Sequence, residues 1–106
     1  MNNPLVSIVL LTYNRPVEMG RNIHELSTIR YRPIEIIVID NCSIEPVVAP
    51  TSGDIKMTVM RMKENLGIGG RNIGIKKATG ELIVTLDDDV FGFDEFDIYK
   101  LIKIVY

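Results

Sequence analysis

Three consecutive carboxylates, Asp87-Asp88-Asp89, close a short, mostly branched apolar run, Leu82-Ile83-Val84-Thr85-Leu86. Adjacent acids repel one another, so such a cluster is either a solvated turn or a place that wants a cation. Side chains alternate along an extended chain, which puts Asp87 and Asp89 on one side and Asp88 on the other. Hard carboxylate oxygens suit Mg²⁺ or Mn²⁺, and such an ion borrows phosphate oxygens to complete its shell. The implied chemistry is a divalent-metal site that holds a phosphorylated ligand. It would stand at the carboxyl end of a strand, where α/β sheets bind ligands.

The elements that must position these acids follow from pattern. Residues 5–11 (Leu-Val-Ser-Ile-Val-Leu-Leu) read as a strand buried on both faces, broken by Thr12-Tyr13-Asn14-Arg15-Pro16. From residue 17 to about 29, Met19, Ile23 and Leu26 fall on one helical face and Glu18, Arg21 and Glu25 elsewhere. Pro33 separates that helix from a second β-rich run over residues 34–39, which ends in Asp40-Asn41. Strand, helix and strand with short joints imply a βαβ unit with parallel strands.

Residues 44–55 carry Pro46, Pro50 and Gly53 and predict no helix. Residues 56–62 predict a third, poorly patterned strand near an edge. In Asn65-Leu66-Gly67-Ile68-Gly69-Gly70 the glycines permit unusual backbone angles and close approach of a ligand. A helix is expected over about 69–79 with Gly80 as its stop, then the buried strand that ends in the acids. Asp94 is placed to cap a last helix with Ile98, Leu101, Ile102 and Val105 as its apolar stripe. Four strands and three helices in alternation predict a three-layer α/β/α sandwich with a mostly parallel sheet. Thr12-Tyr13-Asn14, Asp40-Asn41 and Asp87-Asp88-Asp89 then converge on one sheet edge.

The 106 residues make a single domain, and the 46% apolar and 25% charged content is that of a globular chain. A formal charge of −2 offers no electrostatic case for nucleic-acid binding. The lone Cys42 excludes an intrachain disulfide and suits a reducing compartment. No apolar stretch is long enough to span a bilayer, and the start lacks signal-peptide features. The cytoplasm is the expected location, with peripheral attachment at the membrane left open. His24 reads as structural or exposed, and Met57, Met60 and Met62 as packing.

A dinucleotide-binding fingerprint would need glycines directly after the first strand, where Thr-Tyr-Asn-Arg-Pro stands. Gly67-Ile68-Gly69-Gly70-Arg71-Asn72 has Asn72 in place of the final glycine, and no Gly-Lys-Ser/Thr is present for a P-loop. A phosphoacceptor receiver would carry its acids after the first and third strands rather than after the second and fourth. Instead, Val6-Ser7-Ile8-Val9-Leu10-Leu11-Thr12-Tyr13-Asn14, Glu35-Ile36-Ile37-Val38-Ile39-Asp40-Asn41-Cys42-Ser43 and Glu64-Asn65-Leu66-Gly67 stand in a telling order. Arg71-Asn72-Ile73-Gly74-Ile75 and Ala78-Thr79-Gly80-Glu81 follow, leading into Leu86-Asp87-Asp88-Asp89. Over residues 5–90 the chain resembles the amino-terminal half of the family-two glycosyltransferases, inverting enzymes of the Rossmann-like GT-A fold that use nucleotide sugars.

The resemblance implies site roles. Asp40 resembles the acid that accepts a hydrogen bond from the nucleotide base, typically uracil, and Tyr13 the aromatic that lines the base pocket beside Thr12. Arg61, with Lys63 near it, lies close to a position that can hold a basic residue beside the base. Asp87 and Asp89 resemble the two acids of the Asp-x-Asp motif that engage Mn²⁺ or Mg²⁺, with Asp88 between them contributing to nucleotide binding. Arg71-Asn72 is expected to order the glycine loop. The family implies transfer from a UDP-sugar to a glycan or other hydroxyl acceptor, in cell-surface polysaccharide or glycan synthesis. Its general base lies beyond the motif, in the acceptor-binding half, so the chain reads as the donor-binding half. The alternative is a nucleotide-binding or self-associating module, with a homo-oligomer in view.

Overall fold

The computed structural model describes residues 3–48 and 53–105, so Pro50 lies outside the described residues. Four strands, β1 (Val6–Thr12), β2 (Ile34–Asp40), β3 (Lys56–Arg61) and β4 (Leu82–Asp87), form one parallel sheet in the order β3-β2-β1-β4. Helix α1 (Pro16–Ser27) joins β1 to β2, α2 (Gly69–Lys77) joins β3 to β4, and α3 (Glu95–Val105) follows β4. No helix lies among the described residues between β2 and β3, which agrees with the Pro46 and Gly53 reading. The alternating order yields the expected three-layer α/β/α sandwich. The strand order reverses between β1 and β4, and Thr12 and Asp87 end those two neighbours.

The period of two in the strands divides the core into two faces. Ile8, Leu10, Ile36 and Val38 pack with Met19, Ile23 and Leu26 of α1 and Ile98 of α3. Val9, Ile37 and Ile39 face the other way, against Ile73 of α2, with Met60 and Met62. α2 docks through its small residues: a Cβ on Gly74 would come within 2.5 Å of Val9 Cγ1, and one on Gly70 within 2.9 Å of Leu11 Cδ1. The glycines therefore serve helix–sheet approach more than ligand approach, and of Gly67, Gly69 and Gly70 only Gly67 has a positive φ, 57°.

Three expectations need correction. α2 ends at Lys77 with Ala78 extended, so Gly80 is no helix stop. It lies instead against β1, where a Cβ would fall 2.5 Å from Ser7 Oγ and 2.8 Å from the Leu5 carbonyl oxygen. β4 is not the buried strand expected: Leu82, Val84 and Leu86 are partly covered, whereas Ile83, Thr85 and Asp87 are exposed. The cause is placement, because α2 packs over β1 and β2 and leaves that face of β4 bare. Finally, Val105 is exposed rather than part of the α3 stripe. The cap of α3 is as expected and reciprocal: Asp94 Oδ1 accepts the Phe96 and Asp97 N–H groups while Asp97 Oδ2 accepts the Asp94 N–H.

Candidate functional site

A cleft of about 460 Å³ opens at the carboxyl ends of β1 and β4. Thr12, Tyr13 and Arg15 form one wall, Asn41, Asn65, Gly67 and Ile68 another, and Asp87, Asp88 and Asp89 the third. The structure thus brings together five of the expected site residues, Thr12, Tyr13, Asp87, Asp88 and Asp89. Tyr13 is half-exposed at the rim, where its ring is free to take a flat partner.

The three acids face different surroundings, and strand alternation does not carry past the first: β4 ends at Asp87, and Asp88 and Asp89 form a turn in which the Val90 N–H donates to the Asp87 carbonyl at 3.2 Å. Asp88 turns inward: its Oδ2 accepts the Thr12 hydroxyl at 3.2 Å and stands 3.7 Å from Arg15 Nε, while Asn22 Nδ2 donates to its carbonyl at 3.1 Å. Asp87 turns the opposite way and accepts from Arg71 Nη2 at 2.8 Å. Asp89 is exposed and has no hydrogen-bond or ion-pair partner among the described residues. Arg71 consequently reaches across to the acids rather than ordering the glycine loop, and its Nε is buried with no hydrogen-bond partner. The loop is ordered by asparagines instead. Asn41 Nδ2 donates to the Gly67 carbonyl at 3.0 Å, and Asn65 Oδ1 accepts the Gly67 N–H at 2.8 Å.

Asp40 and Arg61 do not line this cleft and form a cluster of their own. Asp40 is fully buried; its Oδ1 accepts the Ser43 N–H at 2.9 Å and its Oδ2 the Val47 N–H at 3.1 Å. Arg61 Nη1 stands 3.6 Å from Asp40 Oδ2, and Nη2 donates to the Ser43 carbonyl at 2.7 Å. Burial pushes the Asp40 carboxyl up, but the bonds from Ser43 and Val47 and the Arg61 charge outweigh it and hold the group below its ordinary value. Lys63 is exposed and does not line the cleft.

Sequence reasoning singles out neither Arg15 nor Asn22. Asn22 carries a legible signal, since it shares the buried face of Met19, Ile23 and Leu26, and a polar side chain there needs a partner. Glu95 and Asp97 are engaged in the first turn of α3, Asp97 in the cap and Glu95 accepting the Arg30 N–H at 3.0 Å. Among the described residues no three metal-ligating side chains gather ready to enclose an ion. The donor set still fits a hard divalent ion, which needs only one or two protein carboxylates when a diphosphate supplies the rest.

Residues 7–105 match the sequence model of the family described as Glycosyl transferase family 2. The chain is 34% identical over 101 residues to the uncharacterized glycosyltransferase YwdF of Bacillus subtilis, covering 92% of this chain and 37% of that protein. It is 34% identical over 94 residues to the putative colanic acid biosynthesis glycosyl transferase WcaA of Escherichia coli, covering 83% and 33%. The fold is similar to S. aureus TarS residues 1–349 in complex with UDP-GlcNAc, with a TM-score of 0.74 at 20% identity over 94% of this chain and 30% of that one. It is also similar to the mannosyltransferase PcManGT of Pyrobaculum calidifontis in complex with GDP-Man and Mn²⁺, with a TM-score of 0.69 at 24% identity, covering 83% and 28%. The chain spans about a third of the length of the curated relatives it matches.

Proposed function

The chain belongs to glycosyl transferase family 2, and from that premise we propose that the cleft binds the nucleotide diphosphate of a sugar donor, a UDP-sugar, together with a divalent metal. The observation that carries this reading is the convergence of Thr12, Tyr13 and the three acids at the β1–β4 switch point. Asp87 and Asp89 would hold Mn²⁺ or Mg²⁺, with Asp89 the unencumbered ligand and Asp87 exchanging Arg71 for the ion. When bound, the cation offsets the negative charge that grows on the departing diphosphate oxygen. Tyr13 offers its ring to the base, Thr12 orients Asp88, and Asn41 holds the glycine loop that forms the opposite wall.

Asp40 and Arg61 are proposed as the base-recognising edge. Asp40 Oδ2 already accepts the Val47 N–H, and a base N–H would take the second lone pair of that oxygen. The whole enzyme would then transfer the sugar to a hydroxyl acceptor in surface polysaccharide synthesis, as the relationship to WcaA supports, in the cytoplasm or at its membrane face. The alternative of a nucleotide-binding or self-associating module draws on the free outer edge and bare face of β4. Sedimentation of the free protein separates these: a concentration-dependent dimer favours the module.

The donor reading is tested by calorimetric titration with UDP, with and without Mn²⁺, and with GDP for comparison. UDP is expected to bind in a metal-dependent manner, and Asp89→Ala to weaken it about tenfold or more, ~1.4 kcal/mol. Heats independent of metal and unchanged by Asp89→Ala would sink the reading.

A further inference from the structure

Arg15 breaks two local rules at once. It occupies the cap position of α1 without any side-chain capping bond, immediately before Pro16. Ser, Thr, Asp or Asn is favoured there, because a short oxygen satisfies a first-turn N–H. Arg15 also sets a cation at the positive end of a helix dipole, where an anion belongs. Such departures concentrate at functional positions.

Its backbone is firmly placed. The preceding Asn14 is left-handed, φ 53°, with its N–H donating to Ser43 Oγ at 2.8 Å and its Oδ1 accepting the Ile44 N–H at 2.8 Å. Pro16 restricts the φ that follows. The side chain, in contrast, is about half exposed and loosely held, with Nε 3.7 Å from Asp88 Oδ2. That distance permits attraction between charges but exceeds a good hydrogen bond. Among the described residues nothing accepts from its Nη atoms, whereas Arg71, the other guanidinium beside the acids, is bonded to Asp87.

We infer that Arg15 is a phosphate-binding residue of the cleft, resting its charge against Asp88 and turning its free donor fork to the ligand's diphosphate. The inference deepens the donor-binding reading and rests on it. A guanidinium presents paired N–H donors that match two phosphate oxygens. An anion at this point also relieves the uncapped amino terminus of α1. Asp88 is not stranded when Arg15 turns, because the Thr12 hydroxyl and Asn22 continue to hold that residue.

The test is an NMR titration of the protein with UDP and with uridine, each in Mg²⁺, alongside Arg15→Ser and Arg15→Lys. Arg15→Ser supplies a capping hydroxyl, so its thermal midpoint is expected to equal or exceed that of the unaltered protein. Its UDP affinity should fall about tenfold or more while uridine affinity stays within about twofold, because only the phosphate contact is lost. Arg15→Lys keeps the charge without the fork and should fall between. UDP affinity within about twofold of the unaltered protein, or equal losses for UDP and uridine, would overturn the assignment. If the unaltered protein binds UDP in no measurable way, the donor-binding reading itself fails.

Discussion

At the amino end of the sheet, Glu35 of β2 accepts hydrogen bonds on Oε2 from the Ser7 hydroxyl and from both the N–H and hydroxyl of Thr79. At the carboxyl end, Asp89 accepts none among the described residues. Both are carboxylates at the ends of one parallel sheet, yet Glu35 Oε2 takes three hydrogen bonds while Asp89 is left to solvent. The saturated end is a clamp. Ser7 Oγ also accepts the Gly80 N–H at 2.8 Å, so β1, β2 and the approach to β4 are tied around one buried charge. The open end has its donors arranged to leave acid oxygens available. A buried carboxylate such as Glu35 needs protein donors, whereas the exposed Asp89 is satisfied by solvent that a cation can displace.

The largest effect that would test this contrast is at the closed end. Gly80→Ala would drive a methyl group to 2.5 Å from Ser7 Oγ and 2.8 Å from two backbone atoms that cannot yield cheaply. Thermal or urea unfolding should show a loss of about 3 kcal/mol, at the upper end for overpacking. A loss below about 0.5 kcal/mol, the range of an ordinary surface change, would mean that the two ends are equally loose.

Next comes the charge of Glu35. Burial pushes its carboxyl up, but the bonds from Ser7 and Thr79 and the charge of Lys56 outweigh it, so it lies below its ordinary value of 4.5. A carboxyl whose folded value is below its unfolded one binds its proton less readily when folded. Its stabilisation is therefore complete above about pH 4.5 and disappears as pH falls through the folded value. Glu35→Gln keeps the shape and removes the charge. It should cost about 1–3 kcal/mol at pH 7 and progressively less below pH 4.5. An unchanged acid limb in the variant's stability profile would contradict the clamp.

The smallest effect on stability belongs to the open end. Asp89→Asn removes one of three neighbouring like charges and no hydrogen bond within the described protein, so the unfolding free energy should stay within about 0.5 kcal/mol or rise. The same variant should lose metal-dependent UDP binding. A marked loss of stability instead would make Asp89 a structural residue like Glu35.

Much of the fold was legible in sequence because its signals are local. The continuous apolar runs over residues 5–11 and 34–39, the Met19-Ile23-Leu26 stripe and the Asp94 cap all act within a few residues, and the structure reproduces each. The edge position of the third strand was legible too, since β3 ends the sheet, but the coverage of β4 was not. The pattern of residues 82–86 suits a strand buried on both faces equally well, and only the position of α2 decides that Ile83 faces solvent. Gly80 looks like a helix stop until Ser7 of a strand more than seventy residues earlier is seen against it.

The candidate site divides in the same way. The place of the acids at a strand's carboxyl end follows from the βα order, so the sequence by itself determined that they would share one sheet edge with Thr12 and Tyr13; the fold decided that β4 lies directly beside β1 and that Asp88 and Asp89 form a turn. Pattern alone could not distinguish Asp40 from those acids, since all end parallel strands; only the family resemblance set it apart, as the acid beside the base. Tertiary structure decided their surroundings: loop 43–47 folds back and takes both Asp40 oxygens, while Asp88 receives Thr12, Asp87 receives Arg71 and Asp89 receives nothing among the described residues. A carboxylate's role depends on which donors reach it, and those donors come from segments distant in the chain, so only the assembled fold could assign them.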